Sequence, residues 1–440
     1  MQISEFIKSL EDSFAVDANS IHEIIADFHC DMERGLAGVE SSLKMLPAYV
    51  DRASGKERGR YIALDLGGTN FRVLQVELAG GSKPQIIKSE KFVIPKAVMH
   101  GTGVQLFNFI AQSIKKFMLD YKVDIMKKRG LGFTFSFPIK QTDIASGILI
   151  NWTKGFSATG VMGKNIVKLL ENSLKRYDLG NIKVSALAND TVGTLAAKSY
   201  EDRECDVGVI FGTGTNACYV ENVGRVKKMG KLKYKSDYMI INTEWGNFNK
   251  VPTTDYDMKL DKVSNNTGKQ RMEKMISGMY VGEIARLIFS DMITKKLIFS
   301  KAKMKFAKGN FLTRHMSLIE SDNTTRLTKI NGYLEGMGVI ASSIAERRAM
   351  KDVCRIVSGR AARISAAGIS SILTWMDPEL NYKHTIAIDG TMYEKYPGFR
   401  RNIISALREI HSRSSKNIKL TRAKDGSGIG VAVVAAVAAS

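Results

Sequence analysis

The stretches "ALDLGGTNFRVLQV" (Ala63–Val76) and "VIFGTGTNACYVE" (Val209–Glu221) share one frame: an apolar run, a Gly-Thr-Asn turn and a second apolar run. A turn rich in Gly and Thr between two strands offers backbone N–H groups and small hydroxyls without side-chain bulk, which is what polyphosphate oxygens require. One such turn would equally suit an ordinary hairpin. Two in matching frames suggest a duplicated domain with a cleft between the copies, where Gly68-Thr69-Asn70 and Gly214-Thr215-Asn216 grip a polyphosphate from both sides. Asp65 stands just ahead of the first turn. Close to phosphates, a carboxylate there is better placed to hold a hydrated Mg²⁺ than to pair internally.

Strands are expected at Tyr61–Leu66, Phe71–Leu78, Ile86–Val93 and Gly130–Phe135, with an amphipathic helix from about Gly103 to Leu119. A helix over Gly163–Tyr177 leads to a strand at Lys183–Ala188, and "NDTVGTLAAKSY" reads as a helix opened by a polar cap. The start to about Lys56 reads as helical, and "RASGKERGR" as a polar break. From Gln270 through Arg363 the chain is predominantly helical, followed by a strand at Thr385–Ile388. The final "DGSGIGVAVVAAVAAS" is a Gly-rich turn feeding a small-residue helix. Alternation of strand and helix gives an α/β fold.

A length of 440 residues implies two domains or one large α/β unit. Hydrophobic residues at 44% and charged residues at 25% exclude a disordered or fibrous chain. No segment reaches the ~18 apolar residues of a spanning helix. Ile3, Phe6, Ile7, Leu10 and Phe14 recur at helical spacing with acidic residues between them, unlike a secretory leader, so a cytoplasmic location is expected. Cys30, Cys205, Cys218 and Cys354 have no metal-ligand spacing and are expected in a reduced core. The net charge of +21 is compatible with a polyanionic partner. Two basic clusters stand out, Arg225, Lys227, Lys228, Lys231, Lys233 and Lys235, then Lys295, Lys296, Lys301, Lys303, Lys305 and Lys308. The first reads as a solvated hairpin and the second as an exposed face. Neither is interleaved with aromatics as a base-stacking platform would be, so no specific nucleic acid is expected.

The motifs "LDLGGTNFRVL", "LGFTFSFP", "NWTKGF", "ALANDTVGTL", "FGTGTNACY", "INTEWGNF", "EKMISGMYVGEI", "AIDGTMYEKYPGF" and "DGSG" follow one another in an order that resembles the eukaryotic hexokinases from about Leu36 to the end. The length matches a single catalytic unit of that family. The resemblance implies a two-domain actin-like ATPase (ribonuclease H-like) fold with a sugar cleft between a small and a large domain. On that reading residues 1–58 are the helical start of the large domain, 59–189 the small domain, 190–425 the large domain, and 426–440 a helix returning to the small domain. The implied activity is ATP- and Mg²⁺-dependent phosphorylation of the 6-hydroxyl of glucose and other hexoses, the first step of glycolysis. A catalytically silent sugar sensor on the same fold is the alternative, a polyanion-binding protein is a third class, and a homodimer stays open.

Phosphorylating a sugar hydroxyl requires a base at that oxygen, a metal on the phosphates and donors to spread the developing charge. Asp190, at a strand-to-helix junction beside Asn189, fits the base; by its residues alone "ND" is as good a helix cap, and the resemblance supplies the catalytic role. For the sugar the resemblance carries over Ser136, Phe137, Thr153, Lys154, Asn189, Asp190, Asn216, Glu244 and Glu273, with Lys154 also stabilising the transferred phosphoryl group. For the nucleotide it carries over Asp65, Gly67, Gly68, Thr69, Asn70 and Arg72 at the first turn, and Thr213 and Gly214 at the second. Gly278, Gly309, Asp389, Gly390, Thr391 and Ser427 are placed around the adenosine end, and Asp65 on the metal through water. The pattern departs from many relatives at Ile429, where they carry Lys, and at Thr267 and Met272, where Pro and Phe are common.

Overall fold

The computed structural model describes residues 2–68, 70–230, 234–300 and 306–439. Thr69, Lys231, Lys233, Lys301, Lys303 and Lys305, all singled out above, lie outside the described residues.

A two-residue strand β1 (Leu46–Pro47) precedes the hairpin β2 (Arg58–Leu66) and β3 (Asn70–Ala79), which continues into β4 (Gln85–Val93). Next come β5 (Arg129–Phe135), the small hairpin β6 (Ile139–Asp143) and β7 (Ser146–Leu149), and β8 (Ile182–Ala188). The second half supplies β9 (Cys205–Phe211), β10 (Thr215–Asn222), β11 (Tyr238–Asn242), β12 (His384–Asp389) and β13 (Ile418–Arg422). One sheet runs β4-β3-β2-β5-β8 and the other β1-β11-β10-β9-β12-β13. Apart from β1 the two orders are the same, with two antiparallel pairs followed by two parallel ones. The duplication read from the paired turns is therefore present in the topology. Each parallel neighbour requires a crossover, which the helices supply.

Each sheet has its own core. Ile62, Leu64, Phe133 and Phe135 pack with the helices Gly103–Asp120 and Ile166–Arg176 around the first. Val207, Phe211 and Ile386 pack with the 33-residue helix Ile344–Met376 around the second. A third cluster joins the sheets through the helices Asp190–Glu201 and Gly426–Ala439. The latter is apolar on every side, as a helix enclosed by other elements should be. Its small residues permit close approach: a Cβ on Gly430 would stand 1.9 Å from the Gly193 carbonyl oxygen, and one on Gly132 of β5 would stand 2.1 Å from that of Val431.

Three expectations need correction. The helical start ends at Ala37, and the chain from there to Lys56 is loop with the short strand β1, because Ser41, Ser42 and Met45 bind back onto Asp31 and Thr243 instead of extending a helix. Cys30 is exposed while the other three cysteines are buried, since it falls on the solvent side of helix Ala18–Ala37. The first basic cluster is not wholly solvated: two 3₁₀ turns tuck Lys228 down so that its Nζ donates to the Lys44 carbonyl at 2.7 Å, and burial lowers its pKa to about 8. No helix among the described residues is long and apolar enough to cross a membrane.

Candidate active site

β2, β5 and β8 run parallel in one sheet and β9 and β12 in the other, so their carboxyl ends share one edge of each sheet, the edge at which open α/β sheets bind ligands. At the end of β8 the chain turns into the helix Asp190–Glu201. Asn189 is its N-cap, with Oδ1 accepting from the Val192 N–H at 2.9 Å. The capping duty thus falls on Asn189, and the neighbouring carboxylate is left for the cleft. Among the described residues the one side-chain donor to Asp190 is the Thr191 hydroxyl, at 3.3 Å. Burial pushes its carboxyl above the ordinary value; the Lys154 ammonium opposes that shift and the Asp65 charge adds to it.

Lys154 sits on a tight turn in which the Phe156 N–H donates to the Thr153 carbonyl at 3.1 Å. Both central residues are left-handed, with φ of 55° at Lys154 and 79° at Gly155. A lysine in that region is costly, and such strain persists only where the surroundings over-determine it. Here an aromatic box does so: Phe137 meets Trp152 edge-on at 5.0 Å and Phe156 at 5.1 Å, and Trp152 stacks on Phe156. Lys154 Nζ lies 5.5 Å from the Phe137 ring centre and donates to the Ser136 carbonyl at 2.8 Å. Desolvation lowers its pKa, against the opposing charges of Asp190, Asp65 and Glu273. Those four groups are therefore electrostatic neighbours.

On the second sheet the Thr215 N–H donates to Glu273 Oε2 at 3.0 Å, and Trp245 Nε1 donates to the Thr215 hydroxyl at 2.9 Å. Burial raises the Glu273 carboxyl, the Thr215 N–H acts the other way, and Glu244 raises it further. Asn216 is tied to Glu244 through Asn242. Hydrogen bonds and mutual electrostatics thus connect Ser136, Phe137, Lys154, Asp190, Asn216, Glu244 and Glu273 from both sheets, with Thr153 and Asn189 beside Lys154 and Asp190 in the chain.

The two Gly-Thr-Asn turns differ in their support. At the first, Gly67 and Gly68 have open space around them, and Asn70 opens β3. Asp65 does pair internally, contrary to the sequence reading: its Oδ2 accepts from Arg72 Nη2 at 3.1 Å and from the Ser427 hydroxyl at 2.8 Å. Arg72 was free to reach it because the two residues are directly opposite in the β2–β3 ladder. Arg72 Nη1 also donates to Asp425 at 2.8 Å, and buried Thr134 donates to the Ser427 carbonyl, which ties the start of helix Gly426–Ala439 to the turn. At the second turn, Gly278 donates to the Gly212 carbonyl at 2.9 Å and Met279 to that of Thr213 at 3.0 Å. A Cβ on Gly390 would stand 2.3 Å from the Phe211 carbonyl oxygen, so Asp389, Gly390 and Thr391 close over the same turn. Gly214 faces Glu273. Gly309 lies in an exposed turn with φ of 82° and no hydrogen bond among the described residues.

Two family models, both described as hexokinase, match residues 6–200 and 206–437. The chain belongs to the hexokinase family. It is 43% identical to hexokinase-2 of Oryza sativa subsp. japonica over 98% of this chain and 90% of that one. It is 40% identical to hexokinase-1 of Arabidopsis thaliana over 99% and 91%. The solved Schistosoma mansoni hexokinase complexed with glucose is 35% identical and superposes with a TM-score of 0.86 over 99% of this chain and 100% of that chain. The hexokinase resemblance and the actin-like two-domain α/β fold read from the sequence both stand. In this hexokinase, sequence reasoning missed Asn242, Thr134, Asp425 and the box partners Trp152 and Phe156. Each nonetheless lies inside a quoted motif: Asn242 in "INTEWGNF", Thr134 in "LGFTFSFP", Asp425 in "DGSG", and the aromatic pair flanking Lys154 in "NWTKGF".

Proposed function

We propose that the chain transfers the γ-phosphoryl group of ATP to the 6-hydroxyl of glucose and related hexoses, with Asp190 as general base. The observation that carries this reading is Asp190 itself, half-buried at a helix start, excused from capping by Asn189 and faced by the Lys154 ammonium. A carboxylate raised by desolvation is the stronger base toward an alcohol proton. Lys154, Ser136, Asn189, Asn216, Glu244 and Glu273 would meet the sugar hydroxyls, and Phe137 and Thr153 would wall the cleft. Fixed donors and acceptors of this kind reject a ligand that leaves one of them buried and unpaired. Lys154 is also placed to stabilise charge on the phosphoryl group in flight.

Asp65, Gly67, Gly68, Thr69, Asn70, Arg72, Thr213 and Gly214 would hold the polyphosphate, and Gly278, Gly309, Asp389, Gly390, Thr391 and Ser427 would surround the adenosine end. The donor set fits a hydrated Mg²⁺. Among the described residues no three His, Cys, Asp or Glu side chains form a cage, and both contacts of Asp65 fall on one oxygen, Oδ2. Asp65 would hold the ion through water, and the bound ion would neutralise phosphate charge.

The test is a coupled assay of hexose- and Mg-ATP-dependent ADP release, with wild type beside Asp190→Ala. Loss of roughly 10²–10⁴-fold in kcat with glucose binding retained supports the base assignment. Glucose binding without turnover in the wild type would overturn it in favour of a sugar sensor.

A further inference from the structure

We propose that Asn242 is a positioning residue for hexose binding, whose side-chain amide reads the Glu244 carboxylate and passes that polarity on to Asn216. The inference rests on the sugar-binding role proposed above for Glu244 and Asn216. Asn242 ends β11 directly opposite Cys218 of β10. Side chains two apart on a strand share a face, so Asn216 is its diagonal neighbour on that face. Asn242 is only 8% exposed, and both ends of its amide are engaged. Nδ2 donates to Glu244 Oε1 at 2.9 Å, and Oδ1 accepts from Asn216 Nδ2 at 2.7 Å.

The direction of this relay follows from chemistry. A carboxylate only accepts, so Asn242 must turn its NH₂ toward Glu244. Its carbonyl then faces Asn216 and must be met by an NH₂. The Asn216 carbonyl is held in turn by the Ala217 N–H at 2.8 Å. Asn216 is left with one N–H whose alternative partner, Glu244 Oε1, is 3.4 Å away, and Glu244 keeps Oε2. The cleft is thus offered a donor beside an acceptor, in a fixed order. Glu244 itself is left-handed, with φ of 55°, and its carbonyl is pinned by the N–H and side chain of Asn247 at 3.1 and 3.2 Å. Its backbone is therefore fixed independently of Asn242, which acts on the carboxylate alone.

The test is Asn242→Asp, which keeps the shape and the acceptor for Asn216 but sets a second carboxylate against Glu244. Two carboxylates at hydrogen-bond distance retain one proton to higher pH than either would alone. The titratable groups around the pair are Glu273 from helix Arg271–Ile276, which feels the Glu244 charge, and the buried Cys218 thiol opposite Asn242, with Lys154 and Asp190 beyond them as neighbours of Glu273 and Cys218. Their residues are the same in the variant, and Asn242→Ala, which adds no charge, is measured at both pH values to give the pH dependence they contribute without the second carboxylate. At pH 8, with the pair doubly charged, the hexose KM should rise by about tenfold or more over wild type, the loss of one hydrogen bond to a charged group. Toward pH 6 the retained proton restores a donor between the two carboxylates and the gap should narrow. The kcat at saturating hexose and the KM for ATP should stay within about threefold of wild type, since the reacting atoms are untouched.

Asn242→Ala, which adds no charge, should raise the hexose KM about as much at both pH values, and it serves alone if Asn242→Asp does not fold. An unchanged hexose KM in either folded variant, or a gap in Asn242→Asp equal at pH 6 and 8, overturns the inference. Wild type that fails to phosphorylate hexose would instead overturn the functional reading beneath it.

Discussion

Gly430→Ala is the smallest change that should separate the two halves of this enzyme. The added Cβ would lie 1.9 Å from the Gly193 carbonyl oxygen and 2.3 Å from its carbonyl carbon. Ordinary contact begins near 3.4 Å, so the helices Gly426–Ala439 and Asp190–Glu201 must part by about 1.5 Å. Neither can retreat freely. Behind the first, a Cβ on Gly132 of β5 would already be 2.1 Å from the Val431 carbonyl oxygen; behind the second, one on Gly208 of β9 would be 2.9 Å from that of Thr191. Overpacking costs about 1–3 kcal/mol, and the upper end applies because the obstacle is backbone. The better helix propensity of Ala returns about 1 kcal/mol, leaving a net loss of ~2 kcal/mol. Catalysis should suffer more. The parted helices carry Asp190 at the start of one and Ser427, bonded to Asp65, at the start of the other. A displacement of order 1 Å at the reacting centre can cost about 10²-fold in rate. Urea unfolding and steady-state kcat measure the two effects. Gly359→Ala is the control: it lies within helix Ile344–Met376 with open space at its Cβ position, and should be neutral or slightly stabilising. A Gly430→Ala enzyme with wild-type stability and kcat would refute the reasoning.

Two other perturbations probe parts remote from the cleft. Arg360 and Asp257 form a bidentate pair at 2.6 and 2.7 Å with side chains only 2% and 7% exposed, and the guanidinium lies 4.1 Å from the Phe14 ring centre. Arg360→Met should cost about 3–5 kcal/mol by stranding a buried carboxylate, and adding Asp257→Asn should recover much of it; equal instability of single and double variants in urea would contradict this. His384 is buried between Asp206, at 2.6 Å, and Asp377, at 3.4 Å. Burial disfavours its charged form, but the two carboxylates outweigh that and hold its pKa above 6.5. The stability it contributes is therefore fully present below pH 6.5 and lost as pH rises through the raised value. Unfolding free energy should fall more between pH 6 and 8 in wild type than in His384→Gln, and parallel profiles would remove His384 as the source.

Much of this molecule was legible before folding. The strands around both Gly-Thr-Asn turns, the helix Gly103–Asp120 and the capped helix after β8 are set by local periodicity, turn chemistry and an Asn at a helix start, all of which act within a few residues. Even the duplication showed, because each copy needs the same turn between the same strands. Motifs whose order resembles one family also singled out the side chains proposed above for sugar and nucleotide.

What the sequence could not decide is which groups meet. Asp65 pairs with Arg72 because β2 and β3 register them opposite each other, and with Ser427 because a helix 362 residues later returns to the first sheet. Lys154 is held by aromatic rings whose clustering depends on the folded turn, and Asn242 joins Glu244 to Asn216 only once β10 and β11 are aligned. The distribution of labour between Asn189, which caps, and Asp190, which does not, is likewise a matter of three-dimensional direction. Sequence fixes which chemistry is available within one turn or one strand; hydrogen bonds and charges act over a few ångströms, and only tertiary packing brings distant side chains within that range.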